Sequence, residues 1–407
     1  MLPVLVLLLA AETPPPEAAL FERARANMLE MLSNQTNYVC LETIDRSERN
    51  SAKGKFATVD SLSFEVAFVE HRELYAWPGA KSFDETDLLD LAPADAAIAS
   101  GAFAGHAQNL FQPGAATVYT SDWVKENAKR LGRFRFTVPA ERSRYMVMRS
   151  RDHGDIIGYS GEIWIEADTA LVKRIALLAD ATPAGLSTQT VIEYGAVRLG
   201  NGTVWLPVRS VEDIVSTAGR AERNVIRFSG CRAFTGRSTV RFDQDAPAAA
   251  SPVRNVEVPA DIGFEIQFND AVDSNKLNVG DVVNAELGTD IKHRGQILFP
   301  RGSAVEVRLV RVRRRKSELE FQVALGEMNS ATGTARLLAI PDVVAAERPV
   351  AEQRIGRASS DVQVLGDMKR PGLGTIYIGG IWLQLPKGYR TAWVTVASPR
   401  LAKEERH

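Results

Sequence analysis

Few residues in this chain have the types and spacing that covalent chemistry needs. Gly158-Tyr159-Ser160-Gly161 sets a hydroxyl between glycines, with His153, Asp152 and Asp155 close by in sequence, the types that attack an acyl carbon in a Ser-His-Asp hydrolase. The stretch lacks the second spacer of the hydrolase elbow and opens a strand instead of a helix, so turn formation explains it better. Glu162 and Glu166 share one face of an extended segment, but at about 3.3 Å per residue they stand roughly 13 Å apart, too far for a paired-carboxylate glycosidase. They read as a solvated strand face, with Ile163 and Ile165 turned inward. Trp164 shares the carboxylate face and could instead line a partly covered groove.

The histidines His71, His106, His153, His293 and His407 are scattered, without a partner at metal-ligand spacing, so no metal is expected. Gly372-Leu373-Gly374 leads into a strand, the wrong setting for a dinucleotide, and no cofactor is indicated. No catalytic residue is assigned, and a non-enzymatic protein is expected. Cys40 and Cys231 are the two cysteines; they are either a disulfide, as an oxidising compartment would favour, or two separate buried thiols. Arg308, Arg311, Arg313, Arg314, Arg315 and Lys316 form the one conspicuous charge cluster. They read as a hairpin tip kept soluble, or as a contact for an anionic partner such as a lipid headgroup or wall polymer, centred on Arg311 and Arg313 to Lys316. Nucleic acid is not expected, since aromatics are not interleaved with these charges. Across all 407 residues, 49 Lys and Arg nearly cancel 50 Asp and Glu, so no global field selects a charged partner.

These residues need elements to position them. Residues 1–11 have the outline of a secretory signal, an apolar run about half the ~20 residues of a membrane span, followed by a Pro-rich spacer at 12–16. No integral membrane segment is expected in the mature chain. From Glu17 to Ser33, Leu20, Phe21, Ala24, Met28 and Leu32 recur at three- and four-residue spacing, an amphipathic helix whose stripe must be covered. Strands are expected at Tyr38 to Arg46, Ser61 to Val69 and Glu73 to Trp77, then one or two helices within 84–111. Further strands follow at 133–138, 144–151, 161–166, 171–178, 189–194, 204–211 and 224–234, with a turn at Asp152 to Asp155. Gln244 to Val253 is small, Pro-containing and aperiodic, so residues 17–243 form one domain and 244–256 a linker. A smaller β domain is expected at 257–400, with strands at 264–268, 282–287, 296–299, 304–313, 319–324 and 334–339 and a mobile loop at 343–367. A closing hairpin of 376–385 with 391–396 turns at Pro386-Lys387-Gly388, and 401–407 is a charged tail.

Tyr159-Ser-Gly-Glu-Ile-Trp-Ile-Glu-Ala-Asp168 followed by Leu171-Val-Lys-Arg-Ile175, within the order helix, strand with cysteine, strands, helical insertion and long antiparallel series, resembles the half-barrel of periplasmic lipoprotein carriers and lipoprotein-sorting proteins over residues 17–240. The resemblance implies a mainly β fold, an antiparallel half-barrel with a helical plug. Asn278-Val-Gly-Asp-Val-Val-Asn-Ala285 and Gly295-Gln-Ile-Leu-Phe-Pro-Arg-Gly-Ser303 are similar to a small envelope β-barrel of the kind found in the pore-forming subunit of conjugation and type IV secretion machines. That implies a smaller barrel or sandwich at 257–340. The expected function is that of an exported protein of the periplasm or cell envelope, holding a lipid, an acylated chain or an envelope protein in the groove beside Leu20, Phe21, Met28 and Trp164. The alternatives are a scaffold without a small ligand and a periplasmic hydrolase without a recognisable motif.

Overall fold

The structure, a computed structural model, describes residues 16–35, 38–70, 72–79, 88–93, 96–150, 153–183, 185–200, 202–233, 256–314, 318–331, 333–342, 362–366, 372–379 and 382–396. The expected signal, the spacer up to residue 15, the linker up to residue 255 and the tail lie outside these.

The amphipathic stripe folds as expected into α1 (Pro16–Gln35), and Pro16 is its first residue, not spacer; a proline fits the first helical turn because that N–H has no intrahelical partner. The strands of the first sheet are β1 (Tyr38–Arg49), β2 (Ala57–Val69), β3 (Arg72–Ala76), β4 (Thr117–Glu126), β5 (Lys129–Val138), β8 (Tyr159–Glu166), β9 (Val172–Ala179), β10 (Leu186–Leu199), β11 (Gly202–Ser216) and β12 (Ala221–Ala233). Between them β6 (Met146–Ser150) and β7 (His153–Ile156) make a separate hairpin. The ten strands run in the order β3-β2-β1-β12-β11-β10-β9-β8-β5-β4, with every pairing antiparallel. This is the expected half-barrel.

Four expectations for the secondary structure need correction. The strand β4 lacks clean alternation, yet Asn127 and Ala128, both at positive φ (48° and 65°), form the two-residue turn into β5, the turn whose twist suits a hairpin. The segment expected as a turn, Asp152 to Asp155, overlaps β7, which pairs with β6. The helices within 84–111 are as expected, α2 (Leu88–Leu91) and α3 (Gly105–Phe111). At the far end of the chain, Val362–Gly366 is a strand and not loop, and among the described residues 376–385 and 391–396 do not pair with each other.

The second half builds β13 (Gly263–Phe268), β14 (Val272–Asp273), β15 (Val282–Leu287), β16 (Ile291–His293), β17 (Gln296–Phe299), β18 (Ala304–Arg314), β19 (Glu318–Ser330), β20 (Gly333–Arg336), β21 (Ala339–Pro341), β22 (Val362–Gly366), β23 (Leu373–Gly379), β24 (Gln384–Leu385) and β25 (Arg390–Thr395). Its main sheet runs β21-β25-β13-β15-β18-β19-β23-β22, and β21 packs back against β22 and β23, so the path closes on itself around Phe264, Ile266, Leu309, Phe321 and Trp393. Thus β25 joins β13 and β21, while β23 joins β19. The two sheets also touch. Beyond the reach of the short β3, Leu62 of β2 forms a parallel bridge with Val279, and Gly280 follows at φ +105°.

Candidate functional site

The concave face of the half-barrel follows from register. Cross-strand partners share a face, so Ile44, Ile226, Ser210, Ile192, Ile175, Ile163 and Phe134 form one continuous inward row over seven strands. The helix α1 lies on this side. Phe21 meets Phe134 with ring centroids 5.6 Å apart and Phe111 of α3 at 6.0 Å. Leu20, Phe21, Ala24, Met28 and Leu32 are all buried. Leu20 and Phe21 therefore fill the concavity as core and line no open groove.

Trp164 belongs elsewhere. It pairs with Arg133 and Arg174 between the inward Ile163 and Ile165, so period two puts it on the outer face, where the Arg174 guanidinium lies 5.2 Å from its ring centre. Ser160 is on that outer face too, beside the half-exposed Leu178, which removes the basis for a nucleophile in the interior. Glu166 is buried instead of solvated. Lys129 and the Thr169 hydroxyl bind its carboxylate and hold it below the ordinary carboxylate range.

The open space lies toward the C-terminal half of α1. A cavity of about 330 Å³ separates the helix from the sheet, walled by Met28 and Met31 of α1, by Leu171 and Val172, and by Val204, Trp205 and Leu206 of β11. Asn27, Glu30 and Asn34 supply its polar groups. Asn27 Nδ2 donates to Thr169 O at 3.2 Å, and Trp205 Nε1 donates to Val172 O at 2.8 Å, fixing the indole. The Lys173 ammonium sits 4.3 Å from the Trp205 ring centre. Of the four expected groove residues, Met28 alone lines this space. Trp205 escaped the sequence reading because a register shift places Pro207 opposite Tyr194 just after Glu193 faces Arg209, and such a bulge re-aims the side chains beyond it; Met31 stands beside the α1 stripe that was read, not on it.

A second feature of the concave face is polar. Asp60, Arg46, Asn224, Glu212 and Thr190 form the row next to the isoleucines, and every one of them is buried. Arg46 pairs with Asp60 at 3.2 Å. Glu212 is pushed up to about 7 by burial. Glu42, 1% exposed, is raised well above the usual carboxylate value by burial, reinforced by the charges of Glu73 and Glu212. Burial lowers His106 of α3 to about 4 and raises the Tyr145, Tyr159 and Tyr194 phenols.

Cys40 and Cys231 are bonded, between β1 and β12. The arginine cluster is largely engaged by the protein itself. Arg311 pairs with Glu320 at 3.3 Å, Arg314 Nη2 donates to Ser274 O at 2.5 Å, and Arg308 pairs with Glu306 over the ring of Trp77. Arg313 also has a partner, and β18 and β19 pair up to Arg314 and Leu319; Arg315 and Lys316 lie outside the described residues. Among the described residues no group of three His, Cys, Asp or Glu side chains could hold a metal, and no helix is long and apolar enough to cross a membrane.

No protein-family model matches the chain, and no curated protein does. Among solved structures, the chain is similar to a DUF1329 family protein from Desulfovibrio piger, at 12% identity and a TM-score of 0.31 over 55% of this chain and 95% of that one. It is also similar to a LolA superfamily protein from Nitrosomonas europaea, at 11% identity and a TM-score of 0.27 over 57% of this chain and 94% of that one.

Proposed function

We propose that the protein is an exported, non-enzymatic envelope protein that holds the apolar part of a lipid or acylated chain between α1 and β9 to β11. The cavity beside Trp205 carries this reading. Its volume of about 330 Å³ is at the lower end of the about 300–1,000 Å³ of small-molecule sites. Its walls are aliphatic, thioether and indole, while Asn27, Glu30 and Asn34 give an amphiphile's polar end somewhere to stop. The two methionines suit irregular apolar chains, because their side chains repack at little cost.

Titration with a fluorescent fatty-acid probe should change Trp205 emission, and the change should vanish in Trp205→Phe while binding persists. Val204→Trp, which fills the cavity from its wall, should weaken the probe at least tenfold, about 1.4 kcal/mol, without altering the far-UV spectrum. Equal affinity in Val204→Trp and the parent, together with no lipid in organic extracts of the purified protein, would refute the reading.

A further inference from the structure

Residues 96–111 cover the polar row of the concave face; Asn109 at their α3 end donates to Arg142 O and accepts from Arg144 N and the Tyr159 hydroxyl, and the hydrogen bonds that seat residues 97–105 converge on the acidic side of the sheet. Glu73 of β3 takes three of their backbone donors: Gly101 N at 2.6 Å on Oε2, with Ala104 N at 2.7 Å and Gly105 N at 3.0 Å on Oε1. The Tyr75 hydroxyl donates to the same carboxylate at 2.6 Å. Asn224 Nδ2 donates to Ala97 O at 2.9 Å and to Glu212 Oε2 at 2.9 Å, and the Ala99 N–H donates to Glu212. Phe103 packs on Phe228 at 5.3 Å, and the His106 ring stacks on Tyr145 at 5.2 Å. The cover is therefore anchored in the core at its α3 end, where Phe111 stacks on Phe21, apolar where it meets Phe228 and polar where it meets the sheet's acids.

Its floor is not fully satisfied. Glu42 Oε2, the Tyr194 hydroxyl and Ser210 Oγ are buried and find no hydrogen-bond partner among the described residues. A buried polar group without a partner gains when water reaches it, and a charge gains far more.

We propose that residues 96–111 are a proton-locked cover, seated while Glu42 and Glu212 carry protons and lifted from the polar row when they lose them. Three carboxyls face this interior, Glu42 from β1, Glu212 from β11 and Glu73 from β3, with Asp213 behind Glu212 on the same strand. The facing cation of the row, Arg46, is already taken by Asp60. His106 comes from the cover itself, and Tyr145 and Tyr194 complete the surroundings. Ionisation of Glu42 and Glu212 thus adds like charge to a row whose own guanidinium is already paired.

The signs are opposed and unequal. Glu212 at about 7 and Glu42, also raised, keep protons in the seated state that solvated carboxyls lose near 4.5, so seating is favoured at low pH and is lost as pH rises through about 7. His106 at about 4 works against the cover as pH falls below the ordinary imidazole value. Two carboxyls outweigh one imidazole, so the cover is tightest near pH 5 and loosest above 7. Between pH 5.5 and 8.0 Glu212 alone shifts the opening equilibrium by about 30-fold and His106 opposes by about tenfold, since each pKa unit is a factor of ten.

Hydrogen exchange read by mass spectrometry tests this on the whole protein. With rates corrected for intrinsic chemistry, protection of the 96–111 peptides should fall from pH 5.5 to 8.0 by about threefold from Glu212 and His106 together, and further with Glu42, while peptides of β13 to β19 stay unchanged. In the Glu42→Gln, Glu212→Gln double variant the fall should disappear or reverse, leaving only His106 to titrate. Glu212→Gln alone, whose amide oxygen can still accept from Asn224 and Ala99, should show a smaller fall than the parent and serves if the double variant does not fold. Flat protection in the parent, an undiminished fall in the variants, or loss of protection across the whole first sheet in step with the cover would overturn the proposal. The outcome does not depend on what the cavity beside Trp205 binds.

Discussion

Reducing the Cys40–Cys231 bond will lower the stability of the first sheet by about 5 kcal/mol. The bond spans 191 residues and joins β1 to β12, the first and last strands of that sheet in chain order. A cross-link across so long a loop removes many conformations from the unfolded chain, and the chain-entropy relation gives about 5 kcal/mol for this loop length. That is comparable to the whole net stability of many domains, about 5–15 kcal/mol. Cys40 is fully buried, so Cys40→Ala with Cys231→Ala is the cleaner variant, because serine would leave a hydroxyl in an apolar setting. Urea unfolding followed by tryptophan emission, with and without a thiol-free reductant, should show the midpoint falling in both cases. A change below about 1 kcal/mol in either would mean that β1 and β12 stay associated without the bond.

Replacing Gly280 with alanine will uncouple the two sheets. Ser63 N donates to Val279 O at 2.5 Å, Val279 N to Ser61 O at 2.6 Å and Gly280 N to Leu309 O at 2.7 Å, so this one turn is bonded into both halves. A Cβ at 280 would stand 2.2 Å from Ser63 O, and φ of +105° is a conformation that glycine adopts freely. Strain and clash together should cost about 3 kcal/mol or more. The local consequence includes Arg308, which donates to Gly280 O at 2.8 Å and lies over Trp77. Calorimetry should change from one transition to two, with new protease cleavage between residues 256 and 282; superimposable melting curves would contradict the expectation.

The parts of the fold that were legible are those where polarity and period agree. The helix α1 and the β8–β9 hairpin show apolar residues at helical and alternating spacing, and both fold as read. The polar row was not legible, because its polarity is inverted: on β11 the inward residues include Ser210 and Glu212, while Val211 faces outward opposite Val191 and Val225. Alternation survives there, but which face is core cannot be taken from hydrophobicity. Trp164 was misplaced for a related reason, since an indole beside two carboxylates fits a covered groove as well as an outer face stacked by Arg174. The cavity needed the bulge near Val208, and a bulge leaves no mark in a periodicity. The disulfide was legible as a possibility in two cysteines and decided only by the adjacency of β1 and β12.

The closing of the second sheet and the openness of the first have different consequences at high concentration. In the second half β21 packs back against β22 and β23, whereas β4 ends the first sheet with no strand on its outer side among the described residues. Unpaired edges template strand-by-strand polymerisation. On β4 a register irregularity between Thr120 and Asp122 breaks the flat run that a second copy would have to match, and Asp122, Lys125 and Glu126 place charge of both signs along it. The half-barrel can therefore remain open along β4 without becoming a seed for fibres.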